Sequence, residues 1–304
     1  MSLATSRERA PAPAARNPGP SWGYSFLRRC DLVLPEWLFR PLRWLGTVVA
    51  VVLMSARRAH SRAYLTAVTG RPPSWLEVLR HFQAFEEFMI LRLRVARGVA
   101  HRGELAPGAS GFRTLLETGE AALLGTFHVG RSDLTGFLIG PQEKRRVFMV
   151  RQRLGNSADT TVLGARFAAW VTFIWVNDPE NLLFALKEAV ASGGSVALQC
   201  DRLGFSSRNE GFEFLGARRL FPFTIYHLAL IFQRPVVMSV ALPAGPGCST
   251  VHSSPLFRPD GAGRAANLAR ARTHFQDFLG ELEKFLRADP VLWFNFTPLN
   301  PPAP

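Results

Sequence analysis

The sequence predicts an α/β fold: a mostly parallel, buried sheet flanked by helices, with an N-terminal hydrophobic, membrane-anchoring helical region ahead of it. Three observations carry this. From residue 113 onward, short β-rich apolar runs alternate with helical stretches, the pattern of strands joined by helical crossovers. The chain of 304 residues is 47% hydrophobic and only 19% charged, enough for a sizeable core. Residues 44–56, WLGTVVAVVLMSA, carry no charge and lie between Arg40 and Arg43 on one side and Arg57 and Arg58 on the other.

Residues 1–20 are rich in Ala, Pro and Arg, lack an apolar core segment, and read as a disordered tail rather than a signal peptide. Residues 21–63 are the aromatic, basic anchor region. The uncharged stretch is short of the roughly 20 residues a span needs, and extending it back through 32–42 brings in Pro35, Glu36, Arg40 and Pro41. A monotopic or re-entrant anchor with arginines at the headgroups is the reading, with a single span and a buried core helix as alternatives. Residues 64–304 form the main domain. Within it, 74–97 has apolar residues at helical spacing behind Ser74 as N-cap. Strands are expected at 122–127, 146–150, 171–176, 195–200 and 235–242. Helices are expected at about 157–168, from Pro179 to the Gly193-Gly194 stop, over 221–232 and over 263–288. The stretch after residue 200 reads as an irregular loop.

The net charge of +13 comes mostly from arginine. It implies an anionic partner: nucleic acid, an anionic membrane or an acidic carrier protein. Seven Trp and 24 Phe against three Tyr favour the membrane surface. A nucleic-acid binder would cluster its basic residues with exposed aromatics; here the arginines are scattered and the phenylalanines sit at core spacing, so no nucleic acid is expected. Cys30, Cys200 and Cys248 are too few and too far apart for a metal site or a disulfide framework, which suits a reducing compartment.

The stretch LLGTFHVGRSD (123–133) ends an apolar strand on His128, and Asp133 follows five residues later. The two would not share a face of one helix. They can meet if His128 sits just past the strand and Asp133 in the first turn of the next helix, with Gly130 turning the chain. Ligands of open α/β sheets bind at the carboxyl ends of strands, and an imidazole held there by a carboxylate acts as general base on an alcohol. The same spacing also arises in an ordinary strand-to-helix turn. A second match, His81 to Glu86, lies inside the 74–97 helix and reads as structural.

The order of several blocks resembles the lipid A biosynthesis (lauroyl/myristoyl) acyltransferase family of the lysophospholipid acyltransferase superfamily, from about Trp22 to Pro298. The blocks are ARRAHSRAYLTAVTGRPPSWLEVLRHFQAF, LLGTFHVGRSD, MVRQRLGN, VALQCDR, GFEFLGARRLFPFTIYHLAL and DPVLWFNF. The resemblance implies a glycerolipid-acyltransferase-like fold on the cytoplasmic face of a bacterial inner membrane. It implies transfer of an acyl chain from the phosphopantetheine thioester of acyl carrier protein, as co-substrate, to a hydroxyl of a lipid A-type or related glycolipid, with no metal or redox cofactor. His128 would be the general base and Asp133 its orienting partner. Arg131, Arg151 and Asn156 would lie near the substrate, Asn156 alternatively capping the next helix. Asp201 and Arg202 would face the same cleft or close a loop as an ion pair. Arg218 and Arg219 would meet a phosphate or form a solvated basic turn. Asp133 stands where this family usually has glutamate, Phe223-Thr224 replaces a common glycine, and the closing tryptophan lacks the usual basic residues after it; these departures bear on the acceptor. Alternatives are another lipid acceptor (a polyene lipid, an ornithine lipid or a glycerophospholipid) or a catalytically silent membrane scaffold.

Overall fold

The computed structural model describes residues 21–152, 158–177, 179–206 and 208–300. Four helices come first: α1 (Ser21–Val33), α2 (Glu36–Leu53), α3 (Ser55–Thr69) and α4 (Trp75–Ala96). The main domain follows as β1 (Arg102–Leu105), α5 (Ser110–Thr118), β2 (Leu123–Gly130), α6 (Ser132–Gln142), β3 (Val147–Arg151), α7 (Ala158–Arg166), β4 (Val171–Trp175), α8 (Pro179–Ala191) and β5 (Ser195–Gln199). Then come β6 (Asn209–Phe214), β7 (Ala217–Pro222), α9 (Thr224–Phe232), β8 (Val236–Pro243), β9 (Cys248–Ser253) and α10 (Arg264–Ala288). The fold is therefore α/β with a seven-stranded sheet in the order β1-β9-β8-β2-β5-β3-β4, parallel except where β8 meets β9. Its central strands read as apolar runs because both faces are covered: α6 and α9 pack on β2 and β8, and α8 packs on β5 and β4.

Local chemistry places the boundaries. Ser74 and Glu77 form a reciprocal capping box at the start of α4: the Ser74 backbone N–H donates to Glu77 Oε2 at 2.7 Å, and the Glu77 N–H donates to Ser74 Oγ at 3.3 Å. Gly70, at φ +72°, ends α3. Two expectations need correction. The stretch read as a loop contains the antiparallel β6–β7 hairpin, and the helix expected from residue 221 starts at Thr224, because Phe221 and Pro222 close β7. The hairpin turn is Leu215-Gly216, with φ of +50° and +72°. A two-residue turn of that kind usually announces itself as Asn-Gly or Asp-Gly, and leucine hides it.

α2 starts earlier than the uncharged stretch suggested, takes in Pro41, and stops at Leu53. One face, Phe39, Arg43, Thr47 and Val51, is buried at a four-residue interval and packs on α4. Arg43 lies over the Phe39 ring and pairs with Glu36 at 3.1 Å and with Glu86 at 3.5 Å. The opposite face is apolar and exposed: Trp37, Trp44, Leu45, Val49, Val52 and Leu53 follow one stripe, with Trp37 73% and Leu53 75% accessible. The α1 residue Asp31 accepts hydrogen bonds from Arg94 on α4 and from Arg97 just past its end, and Arg94 also pairs with Glu36 of α2, which ties the first two helices to α4. Among the described residues no single helix is long and apolar enough to cross a membrane, and α2 and α3 meet at 94°. α3 runs through residue 63 and buries Tyr64, Leu65 and Val68 in the core.

After α10, residues 290–297 form a strap. Trp293, Phe294 and Phe296 are buried in it. Phe294 stacks on Phe88 and Phe296 stacks on the His81 ring, both on α4. The strap also reaches the sheet: the Phe294 N–H donates to the His128 carbonyl at 2.9 Å, and Val129 bridges Trp293.

Candidate active site

His128 lies near the carboxyl end of β2, in the middle of the sheet. β2 and β5 run parallel in a register that pairs Leu123 with Val196 and Thr126 with Gln199. Continuing that register past the end of β5 sets Asp201 opposite His128, and the two meet there. The imidazole Nδ1–H donates to Asp201 Oδ1 at 2.8 Å, and the His128 backbone N–H donates to Asp201 Oδ2 at 3.0 Å. Trp293 Nε1–H donates to the same Oδ2 at 2.9 Å. The tautomer follows from this network: Asp201 can only accept, so Nδ1 carries the proton and Nε2 keeps the lone pair. The His128 side chain is 22% exposed and Asp201 only 2%. Burial alone would raise the Asp201 carboxyl, but His128 and Arg202 bring it down to about 2.

The turn after His128 is built to hold the ring at the strand's end. Gly130 has φ +55°, and a Cβ there would meet the Ala241 carbonyl oxygen at 2.5 Å, so only glycine fits. Ser132 Oγ–H donates to the Val129 carbonyl and accepts from the Ala241 N–H at 2.9 Å, which locks the start of α6 onto β8.

Asp133 was expected to orient His128, but the carboxylate hydrogen-bonded to the His128 ring is that of Asp201. Asp133 sits in the first turn of α6 and hydrogen-bonds to Arg151 at the end of β3. It also pairs with Arg92 of α4, at 3.2 Å. Burial would raise its carboxyl, but Arg151 and Arg92 bring it down to about 2, with His128 contributing less. Its side chain and those of both arginines are nearly buried. The physical reason is topological. A carboxylate five residues downstream is carried away by the turn into α6, whereas the neighbouring parallel strand delivers one at the height of the ring. Arg151 meets Asp133 because β3 is the next strand beyond β5, and its guanidinium lies over the Phe137 and Phe173 rings.

The remaining predicted residues separate. Arg131 donates to the Cys248 carbonyl at 2.5 Å and the Gly245 carbonyl at 3.3 Å, bracing the β8–β9 connection. Arg202 follows Asp201 in the chain and contributes charge to it. Arg219 donates to the Phe214 and Asn300 carbonyls, so it holds the hairpin to the C-terminal segment. Arg218, beside it, is exposed on β7. Asn156 lies outside the described residues. His81 is fully buried between Ser61 Oγ and the Trp293 carbonyl, and burial pushes its imidazole down to about 4, so it is a neutral structural ring. Trp293 joins the site from outside the predicted set; the signal for it was the closing Pro-x-x-Trp block of the sequence.

The arrangement can accept a proton at Nε2 while Asp201 stabilises the resulting imidazolium. No protein-family model matches the chain, and no curated protein matches it.

Proposed function

We propose that the protein is a membrane-associated O-acyltransferase that moves a fatty acyl chain from an acyl-carrier-protein thioester to a hydroxyl of a lipid A-type or related glycolipid. The observation that carries this reading is the His128–Asp201 pair at the carboxyl end of the central strands, where open α/β sheets bind ligands. His128 Nε2 takes the proton of the acceptor hydroxyl as its oxygen attacks the thioester carbonyl carbon. The tetrahedral oxyanion collapses, the carbon–sulfur bond breaks, and the imidazolium returns its proton to the thiolate. Asp201 stays ionised throughout and holds Nδ1 protonated. His128→Ala is expected to lower transfer by ~10²- to 10⁴-fold, the usual contribution of a positioned general base. The test follows radiolabelled acyl groups from acyl carrier protein into a total bacterial lipid extract. Labelling by wild type alone, with the variant folded, supports the reading and names the acceptor. Equal labelling by both proteins rejects it.

The exposed stripe on α2 supports contact with a membrane surface; the resemblance implies that this surface is the cytoplasmic face of the inner membrane. The stripe is apolar and the helix's other face is pinned to α4, the arrangement of a helix lying in the interface. A fully buried large apolar side chain is worth about 1.5–3 kcal/mol. A variant carrying Trp37→Ser, Trp44→Ser, Val49→Ser and Leu53→Ser is therefore expected to lose at least ~100-fold in partitioning into anionic vesicles. Co-sedimentation measures this, and unchanged partitioning of the folded variant removes α2 as the anchor.

A further inference from the structure

We propose that Trp293 is a positioning residue for His128: its buried indole N–H fixes the Asp201 carboxylate in the orientation and ionisation that the imidazole needs. The inference deepens the acyltransferase reading and rests on it for its catalytic meaning. Its geometry stands on its own.

Asp201 receives three donors. Oδ1 takes the His128 ring N–H, and Oδ2 is shared between the His128 backbone N–H and the Trp293 indole. The backbone donor comes with the strand and would survive any side-chain change. The indole donor is brought in by the C-terminal strap, 92 residues away in sequence. Trp293 is 1% exposed and cannot swing its N–H to water. Its ring is met edge-on by Tyr64 at 5.3 Å and by Phe214 at 5.5 Å. Its carbonyl accepts from the neutral His81 ring at 2.9 Å, and the Tyr64 hydroxyl donates to the Pro290 carbonyl at 2.8 Å. The very next residue, Phe294, donates its N–H to the His128 carbonyl. The strap therefore grips both members of the pair: the histidine by its backbone and the aspartate by its side chain. A tryptophan needed only as core volume would not have to aim its single donor at a buried carboxylate.

The donor's chemical effect follows from where the charge goes. A hydrogen bond to Oδ2 draws negative charge away from Oδ1 and lowers its pull on the imidazolium proton. Removing that donor while keeping the ring leaves the carboxylate more basic, so imidazolium is favoured. The other charged groups around His128 stay in place: Asp133 with Arg92 and Arg151 beside α6, and Arg202 next to Asp201.

Trp293→Phe in the full-length protein is the test, with Trp293→Tyr alongside it. Two readouts are needed. Imidazole NMR of His128, with no substrate present, follows its titration in wild type and variant. Steady-state acyl transfer follows kcat and KM against pH. The expected result is a movement of the acid limb of kcat/KM to higher pH. A drop of about tenfold or more in kcat with KM within twofold is expected with it. Unchanged titration and unchanged kcat in a folded variant overturn the proposal. If neither variant folds, the wild-type indole resonance decides. A Trp293 N–H protected from solvent exchange and displaced by Asp201→Asn supports the proposal, and one that exchanges freely overturns it. Should the wild type transfer no acyl group while His128 still titrates differently in Trp293→Phe, the acyltransferase reading falls and the positioning stands.

Discussion

Asp201→Asn is expected to lower acyl transfer by ~10²- to 10⁴-fold, whereas Asp133→Asn, counted per folded molecule, is expected to lose far less. The two carboxylates differ in what they touch. Asp201 accepts the Nδ1 proton directly. An asparagine there places an amide beside the ring, and where its N–H faces Nδ1 it favours the tautomer that puts the proton on Nε2, so the lone pair needed by the acceptor hydroxyl is lost. It also removes the negative charge that stabilises imidazolium. Asp133 makes its contacts to Arg151 and Arg92, and reaches His128 only through space. The measurement is kcat for both variants, normalised to folded fraction by circular dichroism and thermal melting. A larger loss in Asp133→Asn than in Asp201→Asn would return the orienting role to the residue five positions downstream.

The largest stability effect is expected at Asp133. Asp133→Ala removes the carboxylate that Arg92 and Arg151 share, both arginines being only about a tenth exposed. Removing one partner from a buried ion pair costs about 3–5 kcal/mol. Chemical unfolding of Asp133→Ala should show a loss of that size. Adding Arg92→Met to the same chain should recover part of it, because one of the two like charges beside that site goes with it. Acid adds a second arm. Asp133 and Asp201 both titrate near 2 in the folded chain, down from the ordinary 3.8. Below that ordinary value the unfolded chain takes up protons that the folded chain refuses. The stability they contribute is therefore complete above about pH 4 and falls away as pH drops through about 2. Wild type should lose stability across that window, and Asp133→Ala should lose less. A variant within 1 kcal/mol of wild type at neutral pH would show that the shared carboxylate is not needed to hold the two arginines.

Much of the fold was readable in the chain because local rules and tertiary demands agree there. Apolar strands such as SVALQ and VVMSVAL, a helix opened by Pro179 and a helix capped by Ser74 each carry their own signal, and each lies where it was expected. The β6–β7 hairpin did not, because Leu215 adopts a positive φ that gives no compositional warning. β1 and β9 were missed for a related reason: both are short strands toward one edge of the sheet, and β1 alternates exposed and half-buried residues over only four positions.

His128 was singled out in the sequence because its context is local: an apolar strand, then glycine, then a helix start. Its partner is not local. Asp201 and Trp293 lie 73 and 165 positions from His128 along the chain, and both reach it through the order of strands and the path of the strap. The residue types, most strand positions and the uncharged stretch at 44–56 are properties of short stretches, so they can be read without coordinates. Which carboxylate holds the ring depends on which strand lies beside β2 and in what register, and that is settled when the sheet assembles. A fixed spacing of five residues tells only that a turn follows the histidine. The parallel pairing of β2 with β5 brings a second carboxylate to within 2.8 Å of the ring, and close contact is what a hydrogen bond requires.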